Sequence, residues 1–119
     1  MIYRVNKWFG ITNLVISFLI TGWSMSVAGE EVWIDVRTPE EFAAGHLEGA
    51  LLIPHDQIAS LISEQVPDKD ADIQLYCRSG RRADVARDIL LQMGYTRVTN
   101  HGSLENALLM AKKHPAGDN

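Results

Sequence analysis

The 119-residue chain predicts a single α/β domain: a small parallel sheet with helices on both of its faces. Two observations carry that expectation. Short β-branched or aromatic runs alternate with segments whose apolar residues recur at helical spacing. Cap and turn residues stand at nearly every junction between the two kinds of segment.

Val32-Trp33-Ile34-Asp35-Val36 reads as the first strand, with Trp33 assigned to the core. Thr38-Pro39-Glu40-Glu41 opens a short helix: Thr38 is the N-cap, Pro39 takes the first position and Glu41 completes a capping box. Gly45 stops it. Ala50 to Ile53 is a brief apolar strand ended by Pro54. Asp56 to Val66 carries Ile58, Leu61, Ile62 and Gln65 at helical spacing, and Pro67-Asp68 closes that helix. Ile73-Gln74-Leu75-Tyr76 is a strand running straight into Cys77. Arg82 to Met93 is a helix with Val85, Ala86, Ile89, Leu90 and Met93 as its apolar stripe and Gly94 at C′. Arg97-Val98-Thr99 is a short strand. Ser103 caps a final helix through about Lys112, with Leu104, Ala107, Leu108 and Ala111 on one side.

Composition narrows the function classes. Apolar residues make up 46% and charged residues 22% of the chain, the mix of a folded globular protein. The net charge of −4 argues against a nucleic-acid partner, which would need a basic footprint. All 15 acidic residues lie at or after Glu30, and only Arg4 and Lys7 are charged before it. A short basic segment, an apolar stretch densest from Leu14 to Ile20, and Ser26-Val27-Ala28 form the three-part pattern of a signal peptide. The expected organisation is therefore a leader over residues 1–28, cut after Ala28, and a domain over 29–119. It implies export, to the periplasm. A retained inner-membrane anchor is the alternative, and only then would a membrane be a partner: the charge-free stretch of 22 residues is long enough to span. Loss of Arg4 and Lys7 leaves 9 basic against 15 acidic residues. The single cysteine rules out an internal disulfide and any cysteine-built zinc site. His46, His55, His101 and His114 show no ligand spacing among themselves, so no metal is expected.

The chemistry concentrates in Cys77-Arg78-Ser79-Gly80-Arg81-Arg82. A cysteine stands at the carboxyl end of a strand, where open α/β sheets bind ligands. A loop with Gly80 follows, able to turn backbone N–H groups inward, and then a helix N-terminus. Three arginines lie within five residues of the sulfur. All of these favour the thiolate, so an ionised and accessible nucleophile facing an anion pocket is expected. A lone cysteine is otherwise more often an apolar filler, but three guanidinium groups beside an inert buried thiol would serve no local purpose. Arg81 and Arg82 are the expected anion contacts, and Arg78 the outward-pointing one. Asp35, Arg37 and Glu41 form a charged cluster read as structural, tying the first strand to the loop region. His46 is read as packing. Cysteine-dependent phosphatases place five residues between Cys and Arg. Here Arg82 leaves four, a shorter ring better suited to a compact sulfur donor, though a small phosphatase or arsenate reductase stays open at this point.

Two stretches together resemble the rhodanese family of sulfurtransferases, in particular its small exported single-domain members. One is Ile34-Asp35-Val36-Arg37-Thr38-Pro39-Glu40-Glu41-Phe42, continuing through Gly45-His46-Leu47-Glu48-Gly49-Ala50 to Ile53-Pro54; the other is the six-residue loop headed by Cys77. The resemblance covers residues 32 to about 110. Leu52 stands where the family usually has Asn, and Gly102-Ser103 where it has a Gly-Gly pair. The resemblance implies a rhodanese-like three-layer fold and a two-step reaction. The Cys77 thiolate takes the outer sulfur of thiosulfate, sulfite leaves, and the Cys77 persulfide is stabilised by the backbone N–H groups of residues 78 to 82. Cyanide or a thiol, a thiol protein included, then accepts the sulfur. Neither metal nor organic cofactor is implied. The alternative is a persulfide carrier that delivers sulfur to a partner with little free turnover.

Overall fold

The computed structural model describes residues 30–113; the expected leader, residues 1–28, and His114 lie outside the described residues. The elements are β1 (Glu31–Asp35), α1 (Pro39–Ala44), β2 (Leu51–Leu52), α2 (Ile58–Gln65), β3 (Asp72–Cys77), α3 (Arg81–Gln92), β4 (Arg97–Ser103) and α4 (Leu104–Lys113). The strands form one parallel sheet in the order β2-β1-β3-β4. The α/β fold class expected from the sequence is the one observed.

Period-two alternation assigns the side chains of the two inner strands to faces. Ile34 of β1 and Ile73, Leu75 and Cys77 of β3 point toward α2 and α3, where they pack with Ile58, Ile62, Ala83, Ala86 and Leu90 in the main apolar cluster. Trp33 and Tyr76 point the other way and meet Leu47, Leu104, Ala107 and Ala111 in a smaller cluster under α4. The local signals work as the sequence implies. Thr38 Oγ1 accepts from the Glu41 amide at 3.2 Å and the Thr38 amide donates to Glu41 Oε1 at 3.0 Å, closing the capping box. α3 ends with Gly94 N–H donating to Leu91 O at 3.1 Å and Tyr95 N–H to Leu90 O at 3.0 Å, the paired bonds of a Schellman ending. Ser103 Oγ accepts from the Asn106 amide at 3.1 Å and caps α4.

Four expectations need correction. Val85 of α3 and Leu108 of α4 are 47% and 44% exposed. α3 buries Ala83, Ala86 and Leu90 and α4 buries Ala107, a line too narrow to include Val85 and Leu108, which remain in solvent. Trp33 is half-buried, stacked on His101 with ring centroids 4.8 Å apart; α4 leaves the start of β1 uncovered. β4 runs to Ser103 rather than stopping at Thr99, because Gly102 sits inside it at a bulge rather than in a loop.

Tyr76 marks the junction between the small cluster and the strand ends. Its buried hydroxyl accepts the Leu47 amide at 3.0 Å. Burial, with the Asp35 carboxylate nearby, pushes its ionisation up to about 12. Tyr76→Phe therefore leaves the Leu47 N–H buried without an acceptor and should destabilise the domain by about 1–3 kcal/mol, measured as a lower urea midpoint at unchanged m.

Candidate active site

β3 is an inner strand, and it delivers Cys77 to the carboxyl edge of the sheet one loop before α3 begins. Strand parity turns the side chain toward α2 and α3. Cys77 is accordingly 0% exposed and belongs to the main apolar cluster. This corrects the expectation of an accessible sulfur. The burial resembles that of an inert filler, but the surrounding backbone does not. The Gly80 N–H donates to Cys77 Sγ at 2.9 Å. Gly80 is the N-cap of α3 at φ +96°, a left-handed conformation that side chains disfavour. A Cβ there would also come within 3.4 Å of Gly102 Cα. The amide facing the sulfur and the amino end of a 12-residue helix both favour negative charge on that atom.

The neighbouring strand holds this turn in place. Between Leu75 and Cys77 the register of β3 against β4 shifts, because β4 carries an extra residue. Gly102, at φ +85°, takes the strained position of that bulge. Asn100 Nδ2 donates to Gly80 O at 2.9 Å and to Asp84 Oδ1 at 2.9 Å, while Asn100 Oδ1 accepts the Gly102 amide at 2.8 Å. Sequence reading missed Asn100. The available signal was a glycine two residues later, just past the strand pattern at Arg97-Val98-Thr99, since a glycine that proves to lie within a strand marks a bulge or a close backbone approach.

The charged residues divide into two sets. Asp35 and Arg37 form a buried pair: Arg37 Nη2 reaches Asp35 Oδ2 at 2.6 Å and Arg37 Nε reaches Asp35 Oδ1 at 2.8 Å. The Arg37 backbone N–H also donates to Asp35 Oδ1 at 2.9 Å, and Nη2 to Gly45 O at 2.7 Å. The hydrogen bonds from Arg37 to Asp35 raise the guanidinium's ionisation further above its ordinary value, against the effect of burial. This set ties the end of β1 to the end of α1. Glu41 does not join it. Instead Glu41 takes Arg82 in a bidentate grip, Nη1 to Oε1 at 2.8 Å and Nη2 to Oε2 at 3.1 Å, with Arg78 Nη1 at 3.9 Å. The Arg82 hydrogen bonds, with those from Thr38, hold the Glu41 carboxyl down at about 2. The expected anion contact Arg82 is therefore already paired through its side chain. Arg78 is 74% exposed at its side chain, and Arg81 and Ser79 are exposed beside it.

His46 and His101 make their contacts elsewhere in the fold. His46 stacks on Phe42 at 3.6 Å and its Nδ1 lies 2.9 Å from Phe42 O; His101 stacks on Trp33 and contacts Gln74 Oε1. Two open hollows, about 450 and 270 Å³, are lined by Glu31 and Trp33 at the amino half of the sheet, away from the Cys77 loop. Among the described residues no helix is long and apolar enough to cross a membrane.

The chain is similar to several known proteins. A model of the rhodanese-like domain matches residues 23–106. The chain is 42% identical over 83 residues to thiosulfate sulfurtransferase PspE of Escherichia coli (strain K12), covering 70% of this chain and 80% of that protein. It is 46% identical over 67 residues to a sulfurtransferase of Allochromatium vinosum, covering 56% of this chain and 61% of that one. Among solved structures, a rhodanese with anions from E. coli superposes with a TM-score of 0.62 at 43% identity, covering 64% of this chain and 89% of that one.

The Glu41–Arg82 grip has a pH signature. The carboxyl ionises at about 2 in the fold against an ordinary value of 4.5. Its stabilisation is then complete above the unfolded value and disappears as pH falls toward 2. Glu41→Gln should lower stability by about 1–2 kcal/mol near neutral pH, allowing for partial exposure. Urea titrations should show that difference shrinking between pH 4.5 and 2. A difference independent of pH would contradict the assignment.

Proposed function

The chain belongs to the rhodanese-like domain family, and from that premise we propose a thiosulfate sulfurtransferase that works through a persulfide on Cys77. The single observation that carries the reading is the Gly80 N–H donating to Cys77 Sγ at the amino end of α3. A thiolate there has a backbone donor and a helix terminus as its counter-charge and needs no general base.

The Cys77 thiolate attacks the outer sulfur of thiosulfate. The new Cys77 S–S bond forms as the S–S bond of thiosulfate breaks, and sulfite leaves with the bonding pair. Cyanide or a thiolate then attacks the outer sulfur of the persulfide, and the Cys77 thiolate is regenerated. This is double displacement with a covalent intermediate. Backbone amides of residues 78 to 82 serve as preorganised donors to the anionic sulfur. Arg78 and Arg81, exposed at the rim, supply the field that draws in a dianionic donor. Arg82 contributes its backbone, since Glu41 occupies its guanidinium. Because the sulfur is covered, the groups over it have to move before the donor can reach it. The four residues between Cys77 and Arg82, with that arginine already paired, disfavour a phosphatase.

Intact-mass measurement after incubation with thiosulfate tests the core of this reading. A gain of about 32 Da, one sulfur atom, is expected on the wild type and none on Cys77→Ser. Cyanide should then release thiocyanate over many turnovers; a single equivalent followed by arrest would identify a carrier instead. A Cys77→Ser protein that still turns over would overturn the proposal.

We also propose that residues 1–28 direct export and are removed, on the charge and hydropathy pattern of that segment. Protein recovered from the periplasm should begin at Gly29; an intact amino terminus in the membrane fraction would indicate a retained anchor.

A further inference from the structure

The turn that carries Gly80 has no reason of its own to keep its amide on the sulfur. Gly80 is the most permissive residue in the loop, and neither Arg78 nor Ser79 is buried enough to fix it. The Asp84 amide, 2.9 Å from Gly80 O, is the first hydrogen bond of α3 and sets only one direction. The other direction comes from β4. Asn100 Nδ2 holds the same carbonyl, and the side-chain amide is fixed in turn by the Asp84 carboxylate and the Gly102 N–H. The partners leave one orientation open: two acceptors face the nitrogen and one donor faces the oxygen.

We propose that Asn100 is a positioning residue for the sulfur chemistry: it clamps the Gly80 carbonyl so that the Gly80 N–H stays aimed at Cys77 Sγ. The bulge in β4 is the device that delivers it. Asn100 pairs in register with Leu75, and the extra residue that follows brings the Gly102 amide back onto Asn100 Oδ1 and Gly102 Cα up against Gly80. Asn100 never touches the sulfur, and its effect passes entirely through Gly80. The inference rests on the persulfide reading for its effect on rate, but not for its effect on the Gly80 amide.

Two variants separate a positioning role from simple packing. Asn100→Ala removes the clamp. Asn100→Asp keeps the volume and the acceptor for Gly102 but sets a carboxylate oxygen against Gly80 O and the Asp84 carboxylate. Both should lower kcat by roughly ten- to a hundredfold, the range for a displaced donor, with KM for thiosulfate within about twofold because the rim arginines are unchanged. The amide proton resonance of Gly80 supplies the second measurement. It should move in the same direction in Asn100→Ala and Asn100→Asp as in Cys77→Ala, each of which breaks the contact between amide and sulfur. Wild-type kcat in Asn100→Asp, or a Gly80 resonance that stays put in both Asn100 variants, would overturn the proposal. So would a failure of both variants to fold, which would make Asn100 a structural residue only. If the wild type moves no sulfur but the Gly80 resonance responds as stated, the proposed function fails and the positioning role stands.

Discussion

One N–H pointing at one sulfur organises this molecule. Cys77 Sγ lies among apolar side chains, and the Gly80 N–H is its polar partner there. Several other features near the carboxyl edge of the sheet surround that contact. Position 80 suits glycine because of its left-handed backbone angle. Gly102 has to let β4 bulge. Glu41 pins the first turn of α3 through Arg82, and Asn100 holds the turn from the opposite side.

The buried Asp35–Arg37 pair makes a complementary contribution. Its charges are matched at hydrogen-bond distance and Nη2 makes a further bond to Gly45 O, which offsets part of the cost of burying the pair. It also sits where β1 ends beside β3, with Asp35 opposite Tyr76 in the parallel register. The pair therefore fixes the end of α1 through Gly45 O, and α1 in turn presents Glu41 to Arg82. Rigidity passes to the cysteine loop through a chain of satisfied polar groups rather than through a large core.

Much of this was legible in the sequence, because much of it is local. Thr38 and Glu41, Gly94, and Ser103 announce helix ends by rules that involve four or five neighbouring residues, and they behave accordingly. Cys77 announced itself by its place after an apolar strand and before a glycine and a helix. What could not be read was long-range. Glu41 and Arg82 lie 41 residues apart, and Asn100 and Gly80 lie 20 apart; no periodicity links either pair. Proximity in sequence grouped Glu41 with Arg37, whereas folding gave it to Arg82. Accessibility of the sulfur was misjudged for a simple reason: a residue at the end of an inner strand takes the face that parity dictates, and here that face is the core. Val85 and Leu108 were misplaced because an apolar stripe does not reveal how wide a surface the opposing sheet offers.

The bulge at Gly102 has a second consequence, for behaviour in crowded solution. Among the described residues β4 is an outer strand of seven residues, and a strand of that length presents a row of N–H and C=O groups on which another chain can pair. The irregularity bends that margin out of plane and spoils the spacing an incoming strand would need, while Arg97 sets a charge at its beginning. A domain with no cross-link to slow its opening thus carries its own barrier to edge-to-edge self-association.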